Sequence, residues 1–296
     1  MRLLIESLGF GIASGAIIAL GAVGFTVQFG ISNVLNITYG ALMTLAAYLG
    51  YALLGAGVNV WVAMAVAAAA IAIASALLNR GLIAPLVRRG TGFVGVVIVT
   101  VSAGIIIQYC IVAIAGADTI SYGQQAGSTV SGAGFVFTTS QLVIIAITVA
   151  VMLALHLLLT RTQLGRAMRA TSANPVVARS CGIRTDRVTD LAWLITGALC
   201  GAAGVALAIS TVTFDFTIGP TFLIYMIAAA VLGGIGQPYG AMLGGLVVGV
   251  VSQVAAAYTS PAYQDAYAFA VLVLVLMLRP RGLFASGAAA RRLTRA

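Results

Sequence analysis

Nine continuously apolar runs, at about 8–28, 37–56, 59–79, 93–116, 141–159, 188–210, 221–235, 239–257 and 264–278, leave this chain few ways to fold. A bilayer core of about 30 Å is crossed by roughly 20 apolar residues in a helix. A closed strand barrel would instead show apolar and polar residues alternating in segments of about ten. These runs are longer and unbroken, so they read as helices in lipid. Composition agrees: 61% of residues are apolar and 7% charged, against about 25% charged in a soluble domain. Its 35 glycines suit a bundle in which small residues let helices approach closely.

The net charge is +9, but all 15 cations are arginines and they fall between the apolar runs. That is the positive-inside pattern of a membrane protein and not a nucleic-acid face. Arg80, Arg88 and Arg89 mark one cytoplasmic loop. Arg161, Arg166, Arg169, Arg179, Arg184 and Arg187 mark a second, and Arg279, Arg281, Arg291, Arg292 and Arg295 mark a tail. Segments 117–140, 211–220 and 257–264 lack arginine, the first two carry Asp118 and Asp215, and all three are assigned outside. Nine crossings satisfy these assignments and place the N-terminus outside, with Arg2 weakly opposed; a half-helix at 221–235 or 264–278 would make eight. Cys110, Cys181 and Cys200 have no metal or CxxC spacing and are read as structural thiols. The first apolar run shows no clear cleavage site and is read as a span.

Two stretches look like interruptions, FGISNVLNITYG at 29–40 and GGIGQPYG at 233–240. Broken backbone at membrane depth survives when buried in protein or lining a wet cavity, and in transporters it often flanks the substrate route. Surface loops are the alternative. Gly11/Gly15, Gly197/Gly201, Gly240/Gly244 and Gly245/Gly249 have the small-xxx-small spacing of closely packed helices, without specifying partners.

Chemistry is marked by what is missing. Glu6, Asp118, Asp186, Asp190, Asp215 and Asp265 all fall at or beyond span ends, so no carboxylate is placed to carry protons through the membrane. His156, the single histidine, lies near the cytoplasmic end of its helix, where an interfacial role is expected. No P-loop, HExxH or GxSxG occurs, so no catalytic residue and no metal ligand is assigned. The energy source is expected on a partner.

The longest basic loop is RTQLGRAMRATSANPVVARSCGIRTDRV, 161–188. Asn174 is a good N-cap and Pro175 suits the first helical position, predicting a short helix through Val176, Val177 and Ala178 to about Cys181, stopped by Gly182. So short a helix has little stability alone. It either docks on another protein or belongs to a loop held against anionic headgroups.

Four ordered blocks carry a family resemblance: SGAIIALGAVGFTVQFGISNVLNITYGALMTLAAY (14–48), ANPVVARSCGIRTDRVTDLAWLITGALCGAAGVAL (173–207), AAAVLGGIGQPYGAMLGGLVVG (228–249) and LVLMLRPRGLF (274–284). The chain resembles the permease subunits of branched-chain amino acid ABC importers, a family that also contains urea and amide permeases. The resemblance implies an all-α polytopic bundle of about 8–9 spans with a cytoplasmic coupling helix. It implies a single transmembrane domain over 1–285, including the coupling loop 161–188, and a short basic tail over 286–296. It further implies a multi-pass inner-membrane subunit partnered by a second permease (identical or a paralogue), two cytoplasmic ATPases and an external solute-binding protein. ATP and Mg would sit on the ATPases, with no cofactor on this chain. Ala173, Asn174, Pro175, Ala178, Arg179, Cys181 and Gly182 would form the ATPase-coupling segment, with Arg166, Arg169 and Arg179 facing ATPase carboxylates.

One position departs from the family pattern. Where relatives commonly read Asn-x-Ala-His-Gly, this chain reads Asn36-Ile37-Thr38-Tyr39-Gly40. A tyrosine facing the pathway would alter its size and proton behaviour and with them the usual solute. Asn33, Asn36, Tyr39, Thr100, Gln108 and Tyr225 are the pathway candidates, interhelical hydrogen bonding being their alternative role. The expected function is import of a small solute, an amino acid in the first place, by alternating access. Urea or amide import, a stand-alone secondary carrier and a non-transporting docking protein are the alternatives.

Overall fold

A computed structural model describes residues 2–123, 129–132, 135–211, 213–260 and 263–278. The expected tail 286–296 and Arg279, Arg281, Arg291, Arg292 and Arg295 lie outside them.

The apolar runs fold as helices, the form that satisfies every backbone group internally where water is absent. In chain order they are α1 (Arg2–Ser32), α2 (Thr38–Gly55) and α3 (Val60–Leu78), which runs into a π-helical turn (Asn79–Ile83) and the short α4 (Ala84–Arg88). Next come α5 (Phe93–Ala115), a small antiparallel hairpin of β1 (Thr129–Gly132) and β2 (Phe135–Thr138), and α6 (Thr139–Arg161). The chain continues with α7 (Gln163–Ala173), α8 (Pro175–Ser180), α9 (Thr185–Ser210), α10 (Ile218–Gly233), α11 (Pro238–Tyr258) and α12 (Gln264–Leu278). Polar caps set several boundaries. Asn59 Oδ1 accepts from Trp61 N at 3.0 Å, and Thr138 with Gln141 forms a capping box at α6.

Among the described residues, seven helices are long and apolar enough to cross a membrane, and two shorter apolar helices, Ile218–Gly233 and Ala266–Val275, coincide with the two weak runs. The shortness of α10 has a visible cause. The segment before it turns into the bundle: Phe214 is buried, edge-on to Tyr48 and Tyr122 at 5.6 and 5.4 Å, and bridged to Ile120 through both backbone groups. α10 therefore begins part-way along α2, where Gly219 N donates to Thr44 Oγ1 at 3.1 Å. Tyr122 closes this end by donating to Ala47 O at 2.7 Å, and burial pushes its phenol above the ordinary range, so it stays a neutral donor.

The bundle is organised around α1 and α9. In these helices 83% and 78% of the most apolar stretch is buried, against 17% in α6, which is peripheral. The spaced glycines now have partners. Gly11 and Gly15 face Gly249 and Gly245 across the α1–α11 crossing, so that a Cβ on Gly11 would lie 2.8 Å from Val250 Cα. Gly201 faces α3, an added Cβ meeting Ala68 Cα at 2.7 Å, while Gly240 and Gly244 face Gly233 and Ala229 on α10.

The arginine loops gather at one end. Arg88 pairs with Asp186 at 3.2 Å and Arg80 Nε donates to Asp190 Oδ2 at 2.7 Å, joining the segment 79–89 to the start of α9. The loops at 116–123 and 211–217 meet at the other end. This two-ended arrangement is the one the arginine distribution predicts.

Candidate functional site

At the arginine end, α7, α8 and the first turn of α9 form a corner. Asn174, extended at φ −159°, accepts from Val176 N and Val177 N at 3.0 and 3.2 Å, and Pro175 occupies the first helical position without wasting a donor. Two bonds close the helix, Cys181 N to Val177 O and Ile183 N to Ala178 O, both 3.0 Å. Gly182 then takes φ +83°, a left-handed stop. The short helix is the one the loop sequence predicts. Of its residues only Ala178 is buried; Val176 and Val177 are 73% and 56% exposed. An apolar pair projecting beyond the last span is an unusual surface for a solvated corner. Asn174→Ala is expected to lose about 1 kcal/mol of local stability. Amide exchange at Val176 and Val177 should rise about fivefold, and an unchanged rate would show that the cap is not what holds α8.

Beside α8 opens a polar cleft of about 730 Å³ lined by Ser32, Asn33, Asn79, Arg88, Thr171, Arg179, Thr185, Asp186 and Asp190. Arg179 donates to Thr185 Oγ1 from Nε and Nη2 at 3.2 and 2.9 Å and lies 3.7 Å from Asp186, which it shares with Arg88. Asn79 Nδ2, in the π-helical turn, donates to Asp190 Oδ1 at 2.7 Å. Such exposed pairs contribute at most about 1 kcal/mol each, so they set geometry more than stability. Asp186, Asp190, Asn79 and Thr185 are the site residues that sequence reasoning missed. The signal lay in two acids one helical turn apart amid arginines.

The interruption between α1 and α2 reaches from this cleft into the bundle. α1 ends at Asn33, whose φ of +53° is left-handed, a conformation asparagine tolerates. Its side chain is exposed and lines the cleft. Thr100 of α5 then fixes the irregular stretch: its Oγ1, whose one proton is shared between Val97 O at 2.8 Å and Leu35 O at 3.2 Å, accepts from Ile37 N at 3.4 Å, and its carbonyl accepts from Thr38 Oγ1 at 2.5 Å. The break is thus five residues, shorter than the twelve-residue stretch that looked irregular in sequence. Asn36 is 1% exposed, and neither end of its amide has a partner among the described residues. Gln28 is in the same condition one turn from Gly24, whose face meets Tyr39 and Leu199. Each unmet buried amide group carries a penalty of about 1–3 kcal/mol.

Tyr39 is also 1% exposed. It donates to Thr196 O at 3.3 Å, packs edge-on against Phe25 at 5.9 Å and lies against Cys200, whose thiol meets its carbonyl at 3.3 Å. It pins α2 to α9. The structure thus brings Asn36, Tyr39 and Thr100 together around the break, with Asn33 at its mouth. It does not bring the other two there: Gln108 donates to Phe216 O at 3.3 Å near the opposite end, and Tyr225 packs on Phe222 along α10. The second interruption, Gly234 to Gln237, abuts the last turn of α1 just before the first, because a Cβ on Gly30 would meet Gly236 Cα at 3.3 Å.

The described acids stay out of the middle of the spans. Asp186 and Asp190 lie in the first two turns of α9, and Asp118 and Asp215 lie in the loops at the other end. Asp215 Oδ1 is occupied by Thr217 N and Oγ1 at 2.9 and 2.7 Å.

Residues 7–276 match the family model described as branched-chain amino acid transport system / permease component. The high-affinity branched-chain amino acid transport system permease protein LivH of Salmonella typhimurium is 32% identical over 287 residues, covering 92% of each chain. Its counterpart BraD of Pseudomonas aeruginosa is 30% identical over 293 residues, covering 94% of this chain and 95% of the relative. A more partial match is the autoinducer 2 import system permease protein LsrC of Yersinia enterocolitica, 34% identical over 135 residues, 43% of this chain and 38% of the relative. No solved structure matches.

Proposed function

The chain belongs to the branched-chain amino acid transport permease family, and on that premise we propose that it is the membrane-spanning subunit of an ATP-binding-cassette importer. The observation that carries this reading is the capped, outward-projecting α8 beside the polar cleft, in a chain with no described acid in the middle of a span. A short rigid helix held at both ends can transmit force without doing chemistry. Two cytoplasmic ATPases would seat α8 through Val176 and Val177, with Arg166 and Arg179 facing ATPase carboxylates; Arg169, also expected there, is turned back on Leu159 O at 2.6 Å and is left out of this contact. Nucleotide-driven closure would move α8 with α7 and the start of α9. Solute would arrive from an external binding protein, and a second permease, identical or paralogous, would complete the conduit in the inner membrane.

The break at 33–37 lies on the proposed route. An inward-open state would give the unmet amides of Asn36 and Gln28 partners in water or solute, which is the role we assign them. Tyr39 serves as framework in this reading. Its departure from the family histidine therefore does not argue against a branched-chain amino acid, and a small amino acid is the solute we propose.

The test is to co-purify the chain with its genomic ATPase, permease and binding-protein partners and to reconstitute the assembly in liposomes. Uptake of labelled leucine is expected only with ATP and the binding protein. ATP-independent uptake by this chain alone would identify a secondary carrier instead. An assembly that hydrolyses ATP but moves no amino acid, urea or amide would remove the transport reading.

A further inference from the structure

α1, α6 and α11 do not close on one another along their whole length. Between them lies a cavity of about 500 Å³, walled by Ala16, Val23, Met152, Leu155, Met242 and Leu246 among others. Its rim residues Val149 and Leu153 are 61% and 58% exposed, so it opens sideways to the perimeter of the bundle. Lining residues run from Ile12 to Val23 on α1 and from Pro238 to Leu246 on α11. At about 1.5 Å per residue these stretches are ~12–17 Å long, the depth of one leaflet of a ~30 Å core.

Polar groups gather at one end of this trough. His156 Nδ1 lies 2.7 Å from Tyr239 Oη, with the rings 5.6 Å apart. Leu159, the lining residue nearest the arginine end, gives its carbonyl to Arg169 Nη1 at 2.6 Å. An apolar trough one leaflet deep, with a guanidinium and a histidine–tyrosine pair at its mouth, has the pattern of a single amphiphile.

We propose that this trough binds a phospholipid with an anionic headgroup from the leaflet on the arginine side. One acyl chain fills the trough, and the phosphate meets Arg169 and the His156–Tyr239 pair. Water is a poor occupant of so apolar a space, and a guanidinium suits a phosphate oxygen pair. The lipid would hold α6, the least buried of the seven long spans among the described residues, against α1 and α11. Basic pockets between spans recognise anionic headgroups in this way.

The full chain in detergent can be titrated with phosphatidylglycerol, phosphatidylcholine or diacylglycerol, reading Tm and bound lipid by native mass spectrometry. Phosphatidylglycerol is expected to raise Tm by several degrees with a one-to-one adduct, and the other two to do so distinctly less. Met152→Trp fills the trough and should abolish the adduct; Val149→Trp on the open rim is the second variant should Met152→Trp not fold. His156→Ala and Arg169→Gln should erase the preference for phosphatidylglycerol over phosphatidylcholine. Equal responses to the two phospholipids in the unaltered chain would overturn the headgroup assignment. An undiminished adduct in a folded trough-filled variant would overturn the site. A dimer that Met152→Trp disrupts, with no lipid dependence, would assign the face to a second copy.

Discussion

Ala178→Trp is expected to cut ATP-driven uptake by about tenfold or more, the factor that ~1.4 kcal/mol of lost interaction represents, while ATP hydrolysis by the assembled complex continues. Ala178 is 4% exposed and is the single buried residue of α8. Its carbonyl also holds Ile183 N at 3.0 Å, so the residue fixes both the seat and the exit of the helix. An indole there lifts α8 off α7 and α9 and misaligns Val176 and Val177, without reaching the membrane-embedded part of any span. Gly182→Val is the companion, because a β-branched residue at φ +83° strains the stop by about 1–3 kcal/mol. Insertion and expression should be unchanged in both. The informative measurement is solute moved per ATP hydrolysed; wild-type ratios in both variants would remove α8 from the coupling path.

Gly245→Leu should leave no monodisperse folded protein after detergent extraction. An added Cβ would lie 2.5 Å from Ala19 Cα, which is backbone and cannot rotate away. Overpacking by a methylene or two already destabilises by about 1–3 kcal/mol, and leucine must separate α1 from α11 along the most extensive crossing in the bundle. Gly55→Leu is the control, since its Cβ meets nothing within 4 Å. A size-exclusion profile for Gly245→Leu that matches Gly55→Leu would refute the packing role.

The fold was legible where physics acts locally. Long apolar runs gave the helices, arginines gave the two ends, and Asn174, Pro175 and Gly182 gave the bounds of α8 to within about a residue. Three features were not legible. α7 has no long apolar run and reads as loop, because its helix is stabilised by folding back on the end of α6, with Gly165 packed against Leu158 and Leu159 carbonyls. The hairpin β1–β2 is four residues per strand, too short for alternation to show. α10 is short because Phe214 turns inward to Tyr48 and Tyr122, a long-range contact that no local pattern encodes. For the site, residue type marked Asn36 and Thr100 but not their states. Thr100 is partnered by the break and by Val97 O of its own helix, Asn36 is left unmet, and only the tertiary arrangement separates the two.

Where Gly30 faces Gly236, the last turn of α1 and the interruption between α10 and α11 touch with no side chain from either glycine between them. Interlocked side chains act as gear teeth, and sliding past them means climbing one tooth at a time. A smooth contact of this kind works as a bearing. In the importer proposed above, the α10–α11 elbow would pivot on the end of α1 at this contact, and the direction of the rearrangement would be set by what grips elsewhere, at Tyr39 and Thr100.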